Sequence, residues 1–170
     1  AGVLVVAGDL EAGALTVGIA LALLVARVGV AQRPYLHLDH DRDDSPFVKS
    51  KNGGAIKNPL KDLRVRKAIS KAIRRDAIVD RVMEGVAIKA GQLLPDGFFG
   101  VSPNLKPEAY DPAGAKKLLA EAGVPNGFQL TIHGPNDRYI NDAKICEAVA
   151  QMLTRIGIKT TVETMPKSIY

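Results

Sequence analysis

One short stretch of the chain combines side chains that could bind a charged small molecule. It reads HGPNDRYI, and its polar groups are His133, Asn136, Asp137, Arg138 and Tyr139. Arg138 is the only cation of the loop, and its planar guanidinium can donate two hydrogen bonds to one carboxylate. Asp137 and Tyr139 could orient that guanidinium or bind polar groups themselves. The residue types predict recognition of a carboxylate, and a surface loop with Asn141 as the cap of the next helix is the alternative.

A second polar stretch, HLDHDRDD at residues 37–44, could in principle bind a metal ion. Its hard and borderline ligands are His37, Asp39, His40 and Asp41, a set that suits zinc or nickel. A calcium loop is excluded because Asp44 stands where a glycine is needed and Ser50 where a glutamate is needed. Strand alternation sends neighbouring side chains to opposite faces, so the two histidines need not converge. No metal site is therefore expected.

Catalytic and cofactor-binding motifs are missing from the sequence. It contains no G-x-S-x-G, no G-x-x-x-x-G-K-[ST] and no G-x-G-x-x-G, and its scattered serines have no neighbouring histidine. The acidic pair Asp43 and Asp44 lies in a polar loop, without an apolar pocket that would separate the two pKa values. Cys146 is the single cysteine and lies on an apolar helix face, which predicts a buried thiol. The chain is expected to be neither an enzyme nor a cofactor protein.

The elements around the HGPNDRYI loop determine where it lies. Alternating residues predict strands at 128–133 and 158–163, and a helical apolar stripe predicts a helix at 141–156 between them. This order implies a right-handed parallel crossover, which brings the loop to the carboxyl edge of the sheet. The free amides at the start of the helix would favour an anion there. A further strand at 35–38 is expected in the same sheet, and the class is α/β.

Two further helical regions are predicted upstream. Asp62 caps the first, a basic helix over 62–75 with Val65, Ala68, Ile69, Ala72 and Ile73 inward and Arg64, Lys67, Lys71 and Arg75 on the solvent face. A second segment follows and ends at Gly85, and an irregular loop covers 91–106. Asp111 then caps a helix that has Pro112 in its first turn and ends at Gly123.

The bulk properties fit one ordinary globular domain. The chain has 170 residues, 46% of them apolar and 24% charged, and a net charge of +5. Because much of this charge lies on the 62–75 helix, a stand-alone nucleic-acid- or protein-binding module that uses this helix is the alternative function. Aromatic residues make up 5% and tryptophan is absent, so stacking platforms for single strands are scarce. A solvated helix face is the favoured interpretation, and no nucleic-acid partner is expected.

Residues 1–33 form an apolar lead-in. The uncharged run over 12–26 predicts a buried helix capped by Asp9, between strands near 3–7 and 28–30. Its fifteen residues fall short of the roughly 20 that a helix needs to cross a bilayer. Asp9 and Glu11 stand where a signal peptide would carry basic residues.

The order of the motifs resembles one protein family. NPLKDLRVRKAISKAIRRDAIVDRVMEG, then YDPAGAKKLLAEAG, then FQLTIHGPNDRYINDAKICEAVAQMLTRIGIKTTVE are similar to the peptide/nickel class, or family 5, of bacterial extracellular solute-binding proteins. The resemblance runs from about Tyr35 to Tyr170. It implies one lobe of a type II periplasmic-binding-protein fold, a mixed open sheet flanked by helices. Residues 1–170 are expected to form this single lobe, with 34–170 as the family-like part of the C-terminal lobe of a longer protein.

The same resemblance implies a function in import. Family members bind a solute between two lobes and deliver it to an ABC permease in the membrane from the periplasmic or extracytoplasmic side, and a peptide is the solute expected here. Glutathione, nickel chelates and sugars are other ligands of the family. The HGPNDRYI loop matches a family loop that faces the cleft, and Asp39 follows a strand that borders the interlobe region. Relatives have Asp or Asn at the position of Arg74, so a helix cap is expected to be lost or moved to Asp76. Without the remaining lobe, the chain is expected to expose apolar surface and to self-associate.

Overall fold

The fold was taken from a computed structural model, which describes residues 34–94 and 98–170 together with the backbone of 22–25. The strands are β1 (Ala22–Val25), β2 (Val48–Lys49), β3 (Ala87–Ala90), β4 (Gln129–Pro135) and β5 (Lys159–Met165). The helices are α1 (Leu63–Ala72), α2 (Arg75–Ala77), α3 (Pro112–Glu121) and α4 (Asp142–Arg155). A 3₁₀ turn at Pro59–Lys61 precedes α1, and a π-helical turn at Ile78–Val82 follows α2.

The central sheet has the strand order β2-β4-β5. β4 and β5 are parallel and in register from Gln129↔Lys159 to Pro135↔Met165, with α4 as the connection between them. This confirms the predicted parallel strands and crossover helix. β2 pairs antiparallel with the start of β4, so the sheet is mixed.

The strand predicted at 35–38 is wrong. Leu36 and Leu38 are buried and alternate with half-buried neighbours, as expected of an extended segment, but residues 35–38 form no strand. At Gln129 and Leu130, β4 has β2 on one side, and β5 lies along the whole of its other side. The segment packs against β4 through side chains, and both line one pocket.

The core lies between the sheet and the helices. α4 buries the stripe Ile145, Cys146, Val149, Ala150 and Leu153. α1 buries Val65, Ala68, Ile69 and Ala72, and α3 buries Ala115 and Leu119. Both predicted caps are confirmed, because the carboxylate of Asp62 accepts from the amide of Arg64 and that of Asp111 from the amide of Gly114.

The helix predicted over 62–75 is broken near its end, before the second segment begins. α1 ends at Ala72, and Ile73 and Arg74 have extended or irregular backbone angles before α2 begins. Arg74 provides no side-chain cap, as expected, while Asp76 binds Lys89 at 2.5 Å. The prediction that Arg75 lies on the solvent face is wrong, since its exposed fraction is 4%. The break rotates Arg75 out of the helical register, so that it points inward.

The apolar lead-in over residues 1–33 has a different secondary structure from the predicted one at residues 22–25, the part that the structure describes. Residues 22–25 form strand β1, antiparallel to β3, where the sequence predicted the last turn of a helix over 12–26. A short apolar run does not distinguish a buried strand from a buried helix, and pairing with β3 decides in favour of the strand. The rest of that helix and the strands expected near 3–7 and 28–30 lie outside the described residues. Within the described residues, no helix has the length and apolar character to span a bilayer.

Candidate functional site

The loop after β4 lies at the carboxyl edge of the parallel pair β4/β5. Both strands end there in register, at Pro135 and Met165. The amide of Asn136 donates to the carbonyl of Met165 at 3.1 Å, which ties the loop to the end of β5. The Asp137 carboxylate accepts from the amide of Lys167 at 2.6 Å. The predicted position of the loop is confirmed, and Asp137 has a bond to the backbone rather than to Arg138.

Arg138 is half-buried and lies among tyrosines. Its guanidinium carbon is 5.1 Å from the centre of the Tyr139 ring, which is cation–π distance. Burial raises the pKa of Tyr35, and the positive charge of Arg138 opposes this. Burial also raises the pKa of Tyr170, with Cys146, Tyr35 and then Arg138 as neighbouring influences. Among the described residues, Arg138 forms no ion pair with a carboxylate.

The start of α4 is not capped as the sequence suggested. Asn141 has a left-handed backbone (φ 56°), and its side chain donates to the carbonyl of Val82 at 2.8 Å instead of accepting a helix amide. Asp142, the next residue, is buried and accepts amides through its carboxylate. The amides expected to be free for an anionic ligand are therefore partly taken by the carboxylate of the chain itself.

His133 lies inside the sheet rather than in the loop. It is opposite Glu163 on β5, and its Nε2 is 2.9 Å from a carboxylate oxygen of that residue. Its ring meets the ring of Phe47 edge to face, with 4.8 Å between the centroids. His133 is thus separated from Arg138 by the end of β4 and has partners on both sides.

Asp39 and Phe47, the aromatic neighbour of His133, line the same pocket. The pocket comprises about 280 Å³ of space, part of it open solvent, and is lined by residues 36–39, 45, 47, 60 and 130–132. The Asp39 side chain is 9% exposed, accepts from the Ser45 hydroxyl at 3.0 Å and lies 3.8 Å from Arg42 Nε. Burial lowers the pKa of His37 in the same pocket, and His40 adds to this effect.

The structure therefore places the predicted site residues in three positions: the loop, the pocket of Asp39 and, for His133, the sheet itself. Asn136, Asp137, Arg138 and Tyr139 share the carboxyl edge of β4/β5, whereas the pocket of Asp39 includes none of them. Sequence reasoning missed Tyr35 and Tyr170, which lie far apart along the chain and carry no spacing signal. It also missed Asp142, although the Asn-Asp pair at the start of α4 could have suggested two candidate caps.

Comparison with known proteins agrees with this fold. The family model "Bacterial extracellular solute-binding proteins, family 5 Middle" matches residues 24–170. The chain belongs to this family. It is 30% identical to the dipeptide-binding protein of Escherichia coli strain K12, over 64% of the chain and 21% of that protein. It is 35% identical to the glutathione-binding protein of the same strain, over 63% of the chain and 20% of that protein.

A solved structure supports the same assignment. The ABC transporter-associated periplasmic binding protein of Helicobacter pylori, in complex with the peptide STSA, aligns with a TM-score of 0.60 and 29% identity. The alignment covers 73% of this chain and 23% of that protein. The family 5 chain thus has a type II periplasmic-binding-protein fold and spans about a fifth of the length of the curated relatives it matches.

Two cations of the basic helix in this family 5 chain form ion pairs with carboxylates of the chain itself. Arg64 binds Asp62 at 2.6 Å and donates to the carbonyl of Glu121, which links α1 to α3. Lys71 lies 3.3 Å from Glu108 and 3.4 Å from Asp111. These pairings connect Arg64 and Lys71 to groups of the chain itself, which argues against a nucleic-acid- or protein-binding module that uses this helix.

The potential metal ligands and the thiol do not form a reactive centre in the described part of the chain. Within residues 34–94 and 98–170, no group of three or more His, Cys, Asp or Glu side chains could hold a metal ion. Cys146 is buried, and this burial, with the nearby Asp142, raises the pKa of its thiol to about 12. The thiol is therefore protonated at neutral pH and unreactive.

Proposed function

We propose that this chain is part of the C-terminal lobe of a solute-binding protein that delivers a peptide to an ABC permease. The named functions of relatives support this proposal, since they include dipeptide binding and glutathione binding, and the Helicobacter pylori structure holds a peptide. The proposed location is periplasmic or extracytoplasmic, at the membrane through the permease. The proposed activity is binding without catalysis.

The observation that carries the proposal is the environment of Arg138. The guanidinium lies at the carboxyl edge of two parallel strands, where open α/β sheets bind ligands. It stacks on Tyr139 and has no carboxylate partner among the described residues, so it can bind an incoming carboxylate. A free peptide carboxyl terminus fits this site, and the carboxylates of glutathione have the same chemistry.

Two lobes closing on the solute would provide the mechanism. Closure is favoured when the solute has more contacts in the closed state than in the open state, and this difference sets the affinity. The Arg138 loop would supply contacts from one lobe, and the remaining lobe of the same protein would supply the others. The chain by itself is therefore expected to bind a peptide weakly, and binding experiments require the complete gene product that contains it.

Substitution of Arg138 tests the proposal. In the complete protein, Arg138→Ala is expected to weaken binding of a peptide with a free carboxyl terminus by about 2–4 kcal/mol, because a charge-assisted pair is lost. Arg138→Lys should recover part of the loss, since an ammonium cannot form the same two parallel hydrogen bonds. Titration calorimetry measures the affinities, and the melting temperature should stay nearly unchanged.

Arg74→Ala is the matched control. Arg74 also lies over a tyrosine ring, 5.9 Å from the centroid of Tyr110, but in the break between α1 and α2. Its removal should leave the affinity unchanged. Unchanged peptide affinity in Arg138→Ala would remove the loop from the binding site and leave it a structural role only.

A further inference from the structure

The loop that carries Arg138 is held by a buried carboxylate. Asp142 has an exposed fraction of 3%. Its Oδ2 accepts from the amide of Arg138 at 3.0 Å and from the amide of Tyr139 at 3.1 Å, and its Oδ1 accepts from the amide of Ala143 at 2.8 Å. A charged acceptor makes such bonds shorter and stronger than a neutral one does. The backbone of the two candidate ligand-binding residues is therefore fixed by one side chain.

The neighbouring residue, Asn141, attaches the same end of the loop to a second segment of the chain. Asn141 adopts φ 56°, a left-handed conformation that asparagine tolerates better than most residues. Its side-chain nitrogen donates to the carbonyl of Val82 at 2.8 Å, at the end of the π-helical turn Ile78–Val82. The loop is thus attached both to α4 and to a segment about sixty positions earlier in the chain.

We infer that Asp142, with Asn141, is a positioning residue for ligand recognition: it sets the direction of the Arg138 guanidinium by holding the backbone amides of Arg138 and Tyr139. This inference rests on the proposed function of the loop. A guanidinium that binds a carboxylate through two parallel hydrogen bonds needs a defined orientation, and a loop free to rotate would lose that geometry while keeping the charge.

Asp142→Asn is the direct test in the complete protein. Asparagine is neutral, so even with its oxygen towards the amides of Arg138 and Tyr139 it accepts from them more weakly than the carboxylate does, and its NH₂ group then faces the amide of Ala143. Asp111→Asn is the matched control, because Asp111 also accepts a helix amide, that of Gly114 at 2.8 Å, but lies at the start of α3. Asn141→Gly is the second variant, since glycine keeps the left-handed backbone and removes only the hydrogen bond to Val82.

The first readout is carboxylate selectivity, measured with the tetrapeptide Ser-Thr-Ser-Ala and its carboxyl-terminal amide. The ratio of the two affinities should fall towards one in Asp142→Asn and, to a lesser extent, in Asn141→Gly. It should stay at the wild-type value in Asp111→Asn. A general loss of stability would not change this ratio, because it acts on both peptides equally.

The second readout is hydrogen exchange of the Arg138 and Tyr139 amides, which requires no ligand. Exchange at both should accelerate about tenfold or more in Asp142→Asn and not in Asp111→Asn. Unchanged exchange overturns the inference. An unchanged selectivity ratio in Asp142→Asn also overturns it, and the proposed function then stands if Arg138→Ala still weakens binding. If neither Arg138→Ala nor Asp142→Asn affects binding, the proposed function of the loop fails as well.

Discussion

Arg74 and Arg75 are adjacent cations with opposite surroundings. Arg74 is exposed and lies over the ring of Tyr110. Arg75 is buried and donates to the carbonyls of Ser70, Ile73 and Glu108 at 3.2, 3.5 and 3.3 Å. It also donates to the Ser70 hydroxyl at 3.0 Å. Burial lowers the pKa of Arg75, but these acceptors hold its charge and join the end of α1 to the segment before α3.

Replacement of Arg75 tests this structural role. Arg75→Met keeps an apolar stem of similar length but leaves several buried acceptors without a donor, so the free energy of unfolding should fall by roughly 2–3 kcal/mol. Arg74→Met, the neighbouring control, should lose less than about 1 kcal/mol, the contribution of an exposed cation–π contact. Chemical denaturation of both variants gives the comparison. A stability of Arg75→Met equal to that of Arg74→Met would contradict the assigned role.

The turns that lead into β4 and β5 touch each other. Gly127 precedes β4 and has φ +70°, and a Cβ placed on it would lie 2.0 Å from the carbonyl oxygen of Gly157. The amide of Lys159 donates to the carbonyl of Phe128 at 2.9 Å just beyond this contact. The close approach of the two backbones thus fixes the register at the start of the parallel pair β4/β5. The candidate loop lies at the opposite end of the same two strands.

Two glycine substitutions separate backbone strain from close packing. Gly123→Ala, at φ +81° with open space around the new Cβ, should cost roughly 1–2 kcal/mol of stability through the left-handed conformation alone. Gly127→Ala combines similar strain with a clash against backbone and should cost about 3 kcal/mol or more. Thermal unfolding of the two variants measures the difference. Equal losses would show that the contact with Gly157 is easily relieved.

At the scale of the whole molecule, the described part of the chain leaves apolar surface and a strand edge uncovered. β5 pairs only with β4 among the described residues, and Lys159, Thr161 and Glu163 are exposed along it. Phe99 is fully exposed, and Ile169 near the end of the chain is 72% exposed. Uncovered edges and apolar side chains favour association with another surface, such as the remaining lobe in the proposed complete protein.

The 170-residue chain by itself is therefore expected to self-associate. Light scattering over increasing concentration should show species larger than a monomer, because apolar groups such as Phe99 gain burial on contact. Phe99→Ser should shift the association to higher concentration. It should have little effect on the stability of the fold, since the Phe99 side chain is fully exposed. A monomer at every concentration would argue against the proposal that the chain is part of a larger lobe.

Local patterns in the sequence determined much of the architecture. The caps Asp62 and Asp111, the apolar stripe of α4 and the alternation of β4 and β5 act over a few residues, so the elements and the parallel crossover could be predicted from them. The same crossover placed the HGPNDRYI loop at the carboxyl edge of the sheet. The order of these motifs also indicated family 5, which the family comparison confirmed.

Strand pairing, burial and side-chain contacts that involve partners distant in the chain were decided only by the tertiary structure. Residues 35–38 have the alternation of a strand, but they do not join the sheet β2-β4-β5 and instead line a pocket together with β4. Arg75 continues a basic pattern, but the break after α1 turns it towards carbonyls that include that of Glu108. Tyr35 and Tyr170, far apart in the chain, both lie close enough to Arg138 for its charge to act on their pKa values, and Asp142 accepts from amides that were expected to be free for a ligand. Spacing along the chain does not predict such contacts. Burial and pairing depend on which distant segments the fold brings together.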